Sequence, residues 1–94
     1  LRLRLAKAYA RQGKTEAAVA QCRQCGPLPQ ALRLEGSILA KASMYHRARE
    51  TWRELFHVVE PNRQDWATLA AFEWHSGNTK ASVEIARRLR EEAP

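Results

Sequence analysis

Apolar residues recur along this chain at the three- and four-residue spacing of a helix, in segments cut apart by Gly13, Gly26, Pro27, Pro29, Pro61 and Gly77. The first segment, Leu1 to Gln12, places Leu5, Ala6 and Tyr9 on one helical face. Its opening Leu-Arg-Leu-Arg-Leu also alternates as a strand would, but Ala6, Ala8 and Ala10 follow, and alanine is the best helix former and a poor strand former. The second runs from about Thr15, a candidate N-cap, to Cys25, with Ala18, Val19, Cys22 and Cys25 together, and Gly26 with Pro27 ends it. A third, about Gln30 to Ala42, sets Leu32, Gly36 and Leu39 on one side. The fourth, about Tyr45 to Val59, gathers Ala48, Trp52, Leu55, Phe56 and Val59, with Arg47–Glu50 and Glu50–Arg53 expected to lace its outside. Pro61 stops it. The fifth, about Arg63 to His75, presents Trp66, Leu69 and Ala70; the sixth, about Thr79 to Glu92, presents Val83, Ala86 and Leu89 after a capping Asn78 or Thr79. Six short helices joined by tight turns, with no convincing strand, predict an all-α array of helix hairpins.

The chain also repeats itself. "GKTEAAV", Gly13 to Val19, returns as "GNTKASV", Gly77 to Val83. Gly13, Ser43 and Gly77 hold the same place in three successive hairpins, at intervals of 30 and 34 residues, with the small residues Ala18, Ala48 and Ser82 five positions later. A period near 34 is that of tetratricopeptide helix pairs. The chain resembles three tetratricopeptide repeats, about 1–29, 30–61 and 62–94, over essentially its whole length. Leu5, Ala6, Tyr9, Gly13 and Ala18 match the family signature in the first repeat, and Leu32, Gly36, Ala48, Trp52 and Leu55 in the second. Trp66, Leu69, Ala70, Gly77, Leu89 and the closing Pro94 match it in the third.

The resemblance implies one domain of three stacked antiparallel hairpins, an α-solenoid coiling as a right-handed superhelix, in which each apolar stripe is buried by its neighbours. There are departures. The first repeat is short by about four residues around "CGPLPQ"; Glu35 stands where the family has Leu, Arg49 where it prefers an aliphatic and Glu73 where Tyr is common. In the family the slots of Glu35 and Arg49 face one another within one hairpin, so a partly buried ion pair is expected there. Glu73 is expected to be exposed. The lack of an initiator Met, and a first segment that already reads as the interior of an element, suggest a piece of a longer array.

Composition narrows the partner. Sixteen Lys and Arg, twelve of them Arg, against ten Asp and Glu give a net charge of +6. Such a balance favours acidic protein segments, phosphate backbones or acidic polysaccharides, although on small helical domains it also serves as ordinary solvated surface. No stretch is apolar enough to span a membrane, and the start lacks the apolar run and cleavage site of a signal peptide, so no membrane insertion is expected. Arginine and alanine in excess over lysine fit a GC-rich bacterial genome.

Three constellations invite chemistry and are read as structural. Ala8 to Thr15, "AYARQGKT", is one Ala-for-Gly change from the phosphate-cradling loop GxxxxGK[ST], but that loop lies between a strand and a helix, and here the preceding residues read as helix. Cys22 and Cys25 form a CxxC in the last turn of a helix, where the dipole opposes a thiolate; buried free thiols are expected. His46, His57 and His75 lie in different segments without ligand spacing, so no metal and no cofactor are expected and the histidines read as surface residues. Trp52 and Trp66 occupy core slots of the repeat.

In tetratricopeptide arrays the first helix of each pair lines a concave groove. The corresponding slots here carry Lys7 and Arg11, then Arg33, Ser37 and Lys41, then Ala67, Ala71, Trp74 and His75: four cations, an aromatic and no acid. One subset of the family grips chaperone tails through a set of Lys, Asn and Arg; Leu3, Lys7, Arg33, Ser37 and Ala67 stand near those slots and the asparagines are missing, so that activity is not carried over. The reading is a non-catalytic interaction scaffold whose basic groove binds a protein partner with an acidic segment, through Arg33, Lys41 and Trp74 above all. The alternative is an anionic polymer, either acidic polysaccharide in a bacterial envelope export machine or nucleic acid. An enzyme ranks last, because no acid, base and nucleophile converge.

Overall fold

The structure, a computed structural model, describes residues 2–92. Among them are six α-helices and no strand: α1 (Arg2–Arg11), α2 (Thr15–Gln24), α3 (Pro29–Lys41), α4 (Tyr45–Val58), α5 (Arg63–His75) and α6 (Thr79–Glu92). α1 packs on α2, α3 on α4 and α5 on α6, while α2 meets α3 and α4 meets α5, so three hairpins stack in chain order. The result is elongated, 40 × 25 × 19 Å. Contacts between consecutive helices dominate the core, with α1 also touching α3, as expected for repeats that cannot bury an apolar stripe alone. The closing Pro94 of the third repeat lies outside the described residues.

One device makes all three hairpin turns. Gly13, Ser43 and Gly77 all take positive φ, at 77°, 61° and 95°. Their N–H groups donate to the carbonyls of Ala10, Ala40 and Trp74, and the next residues, Lys14, Met44 and Asn78, donate to Tyr9, Leu39 and Glu73 at 2.8–2.9 Å. This is the Schellman closure, which satisfies carbonyls left over at the helix end. Ser43 adopts it with a side chain, at a cost of about 1–2 kcal/mol that glycine would not incur. The expected N-cap at Thr15 is not there: Lys14 precedes α2 and no side chain caps it. A full capping box does open α5, where Asn62 accepts from the Asp65 N–H at 2.8 Å and Asp65 accepts from the Asn62 N–H at 3.1 Å.

Trp52 fastens the second hairpin to the third. It is buried, its ring meets Phe72 edge-on at 5.5 Å, and its indole N–H donates to the Asp65 carbonyl at 3.0 Å. A Cβ added to Gly36 would stand 2.7 Å from that ring, so glycine is what lets the tryptophan lie against the α3 backbone. Two residues expected in the core are exposed instead: Leu5, and Trp66, which touches Phe56 edge-on at 4.8 Å. The α6 stripe is likewise open at Val83 and Ala86.

The expected Glu35–Arg49 pair does not form. Glu35 and Glu73 are both only 2% exposed, which also corrects the expectation that Glu73 faces solvent. Glu35 accepts from Arg23 Nη2 at 2.7 Å and from Thr51 Oγ1 at 2.8 Å. Glu73 accepts from Arg49 at 3.2 Å, Arg53 at 3.0 Å and Asn78 at 3.1 Å. Each glutamate stands on the first helix of its hairpin and reaches back to arginines on the second helix of the preceding one, so the ion pairs hold the seams between repeats. Burial pushes the Glu73 carboxyl up, yet hydrogen bonds from Asn78, Arg53 and Arg49 outweigh it and hold the group below the usual carboxylate range. The lacing expected on α4 is replaced too, since Arg47 pairs with Glu16 on α2 and Glu50 with Arg49.

Candidate functional site

α3 turns Leu32, Glu35, Gly36 and Leu39 into the core and leaves Arg33, Ser37 and Lys41, one turn apart, on its other side. α1 does the same with Lys7 and Arg11. Because α1 and α3 touch, the two rows meet: Lys7, Arg11, Ser37 and Lys41 line one depression of about 460 Å³ together with Ala10, Leu34 and Ile38. No acidic residue lines it. Lys7, Arg11 and Lys41 are exposed and form no ion pair among the described residues.

A second depression of about 580 Å³ shares Ser37 and Lys41 with the first and continues past Ala40, Ser43 and Tyr45 to Trp52, Thr68 and Phe72. The channel is therefore cationic where the first two hairpins meet and aromatic where the second meets the third. Tyr45 and the aliphatic pair Leu34 and Ile38 were not among the residues singled out from sequence. The signal for Leu34 and Ile38 was present, as they repeat one position after Arg33 and Ser37; Tyr45 opens the second helix of its hairpin, which the groove rule ignores.

The other sequence candidates fall differently. Arg33 Nη2 pairs with Asp65 Oδ2 at 2.9 Å, and that carboxylate is buried. An acid does face this row, and Arg33 is neutralised where a free cation was expected. Trp74 is 54% exposed and lines neither depression. His75 stacks on Tyr45, which lines the second depression, with ring centroids 4.4 Å apart.

The segment from Ala8 to Thr15 is helix as far as Arg11 and then turn. The N–H groups of Gly13 and Lys14 are spent on the Ala10 and Tyr9 carbonyls, which leaves no cradle for phosphate there. Cys22 is buried, while Cys25 is half-buried and donates weakly to the Gln21 carbonyl. Burial above all, then the negative charge of Glu35, pushes the Cys22 thiol up to about 11, away from a reactive thiolate. Among the described residues no three His, Cys, Asp or Glu side chains gather as a metal site, and no helix is long and apolar enough to cross a membrane. In comparisons with known proteins, the chain matches no family model and no curated protein.

Proposed function

We propose that this chain is a non-catalytic interaction scaffold of tetratricopeptide type whose groove takes an extended acidic segment of a partner protein. The recurrence of one turn geometry at Gly13, Ser43 and Gly77 supports the family resemblance. The observation that carries the function is the set of unneutralised cations, Lys7, Arg11 and Lys41, lining a channel with Leu34 and Ile38 and no carboxylate. Like charges held close without counter-charge raise the local potential and favour an anionic ligand. Arg11 offers a planar fork to a carboxylate, the lysines offer point charges, and the aliphatic pair offers contact to side chains between the acidic ones.

Fluorescence anisotropy with a labelled peptide of alternating Glu and Leu tests this, beside its Lys-for-Glu counterpart, a single-stranded oligonucleotide and heparin. The acidic peptide alone should bind at moderate salt, and Lys7→Glu/Lys41→Glu, folded by circular dichroism, should weaken it by about tenfold or more. Equal affinity in the variant overturns the groove. Tighter binding of either polymer, lost steeply with salt, transfers the site to a polyanion.

A further inference from the structure

The two depressions of the channel meet at Ser37 and Lys41 but differ in what lies beyond them. Toward α1 the apolar lining is aliphatic, with Leu34 and Ile38 set among the cations. Toward α5 it is aromatic, with Tyr45, Trp52 and Phe72, and Lys41 is the one charged side chain among the described residues that line it. This aromatic depression lies between the second and third hairpins, with α3, α4 and α5 all contributing to its walls, so no further repeat is needed to define it. Its rings are held by one another and by the backbone. Gly36 admits Trp52 against α3, Trp52 meets Phe72 edge-on at 5.5 Å and donates to the Asp65 carbonyl, and Tyr45 is stacked on His75 at 4.4 Å. The space between these rings and Lys41 is therefore formed before any ligand arrives.

We infer that the partner segment is bipartite: an aromatic side chain next to its acidic run enters the depression lined by Tyr45, Trp52 and Phe72, while Lys41 holds the adjoining carboxylate. The inference rests on the reading of the channel as a site for an acidic segment, and it names the second element of that ligand. Lys41 lines both depressions, and an extended chain advances about 3.3 Å per residue, so a carboxylate on Lys41 sets the aromatic one or two residues away. Aromatic pairs in offset or edge-on geometry gain more than the apolar area they bury, which an aliphatic side chain does not. A nucleobase beside a phosphate has the same two parts, but it stacks on an open ring face. Trp52 and Phe72 are only 6% and 7% exposed, Tyr45 gives one ring face to His75, and the exposed Trp74 lines neither depression. The site suits a side chain entering between the rings better than a base lying on one.

The test compares labelled peptides of alternating Glu and Leu on the whole chain by fluorescence anisotropy, with phenylalanine at either end of the acidic run, in its middle, or replaced by leucine or alanine. Phenylalanine at an end should tighten binding about tenfold over alanine and clearly beyond leucine, and Tyr45→Ala should remove most of that difference. Amide shift maps of the unaltered chain give a second readout, in which Thr68 and Phe72 should move for the phenylalanine peptide and not for the alanine one. Binding of the Glu-Leu peptide with no gain from phenylalanine, or an equal gain from leucine or from the middle position, overturns the inference and leaves the acidic-segment reading standing. Equal affinity when glutamines replace the glutamates overturns that reading and the pairing with it, as does no saturation at millimolar peptide. Stronger shifts at Thr68 and Phe72 from a single-stranded oligonucleotide would also overturn the inference and give the depression to a base.

Discussion

The cations of the seams and the cations of the groove are the same chemistry under opposite conditions. Arg23, Arg49 and Arg53 lie between hairpins, each fixed on a glutamate that is almost wholly buried. Lys7, Arg11 and Lys41 share a channel with no acid in its lining. In the seams charge is consumed in holding register, since each buried glutamate takes its arginine donors from the preceding hairpin. In the groove no carboxylate consumes it, and three cations share one lining without counter-charge. Arg33 stands between the two classes, placed on the groove row but bound to Asp65.

The comparison breaks most readily at Glu73. Replacing Glu73→Gln removes the charge that three donors share and should cost about 2 kcal/mol at neutral pH, read by urea denaturation; unchanged stability would mean that the seams are ordinary surface pairs. The same variant sharpens the point with pH. The folded Glu73 carboxyl lies below its ordinary value, so its contribution is fully present above the unfolded carboxylate pKa of about 4.3 and is lost as pH falls through the folded value. The advantage of wild type over Glu73→Gln should therefore be level from pH 7 to about pH 5 and shrink below that; an advantage that grows on acidification contradicts the assignment. Arg33→Ala should cost about 1 kcal/mol, an intermediate effect, since Asp65 keeps the Asn62 N–H. Lys7→Gln/Lys41→Gln should leave the thermal midpoint almost unmoved, within about 0.5 kcal/mol, because these side chains hold nothing in the free protein.

The helices were legible because breakers and periodicity act locally: α5 and α6 begin and end at the residues expected, after Pro61 and around Gly77. The turns were legible as a repeated glycine place, though not the Schellman geometry that makes Lys14, in place of Thr15, precede α2. The seams were not legible. A glutamate at a core slot reads as an error or as surface until its partner is known, and the arginine partners of Glu35 and Glu73 lie on the previous hairpin, 12 to 24 residues away. The recurrence of arginine at positions 23, 53 and 87 was the available signal. For the groove, the cationic rows on α1 and α3 followed from helix periodicity and do meet, whereas Trp74 sits apart and the partner of Arg33, Asp65, lies 32 residues away on α5.

The most direct test of the claim that the groove cations are held for a ligand is an amide shift map of the whole chain titrated with the acidic Glu-Leu peptide. The account predicts saturating shifts centred on Lys7, Ala10, Arg11, Ser37 and Lys41, extending toward Tyr45, with the seam residues Arg23, Arg49 and Arg53 unmoved. Shifts centred on α2 or α4, or none at millimolar peptide, would contradict it.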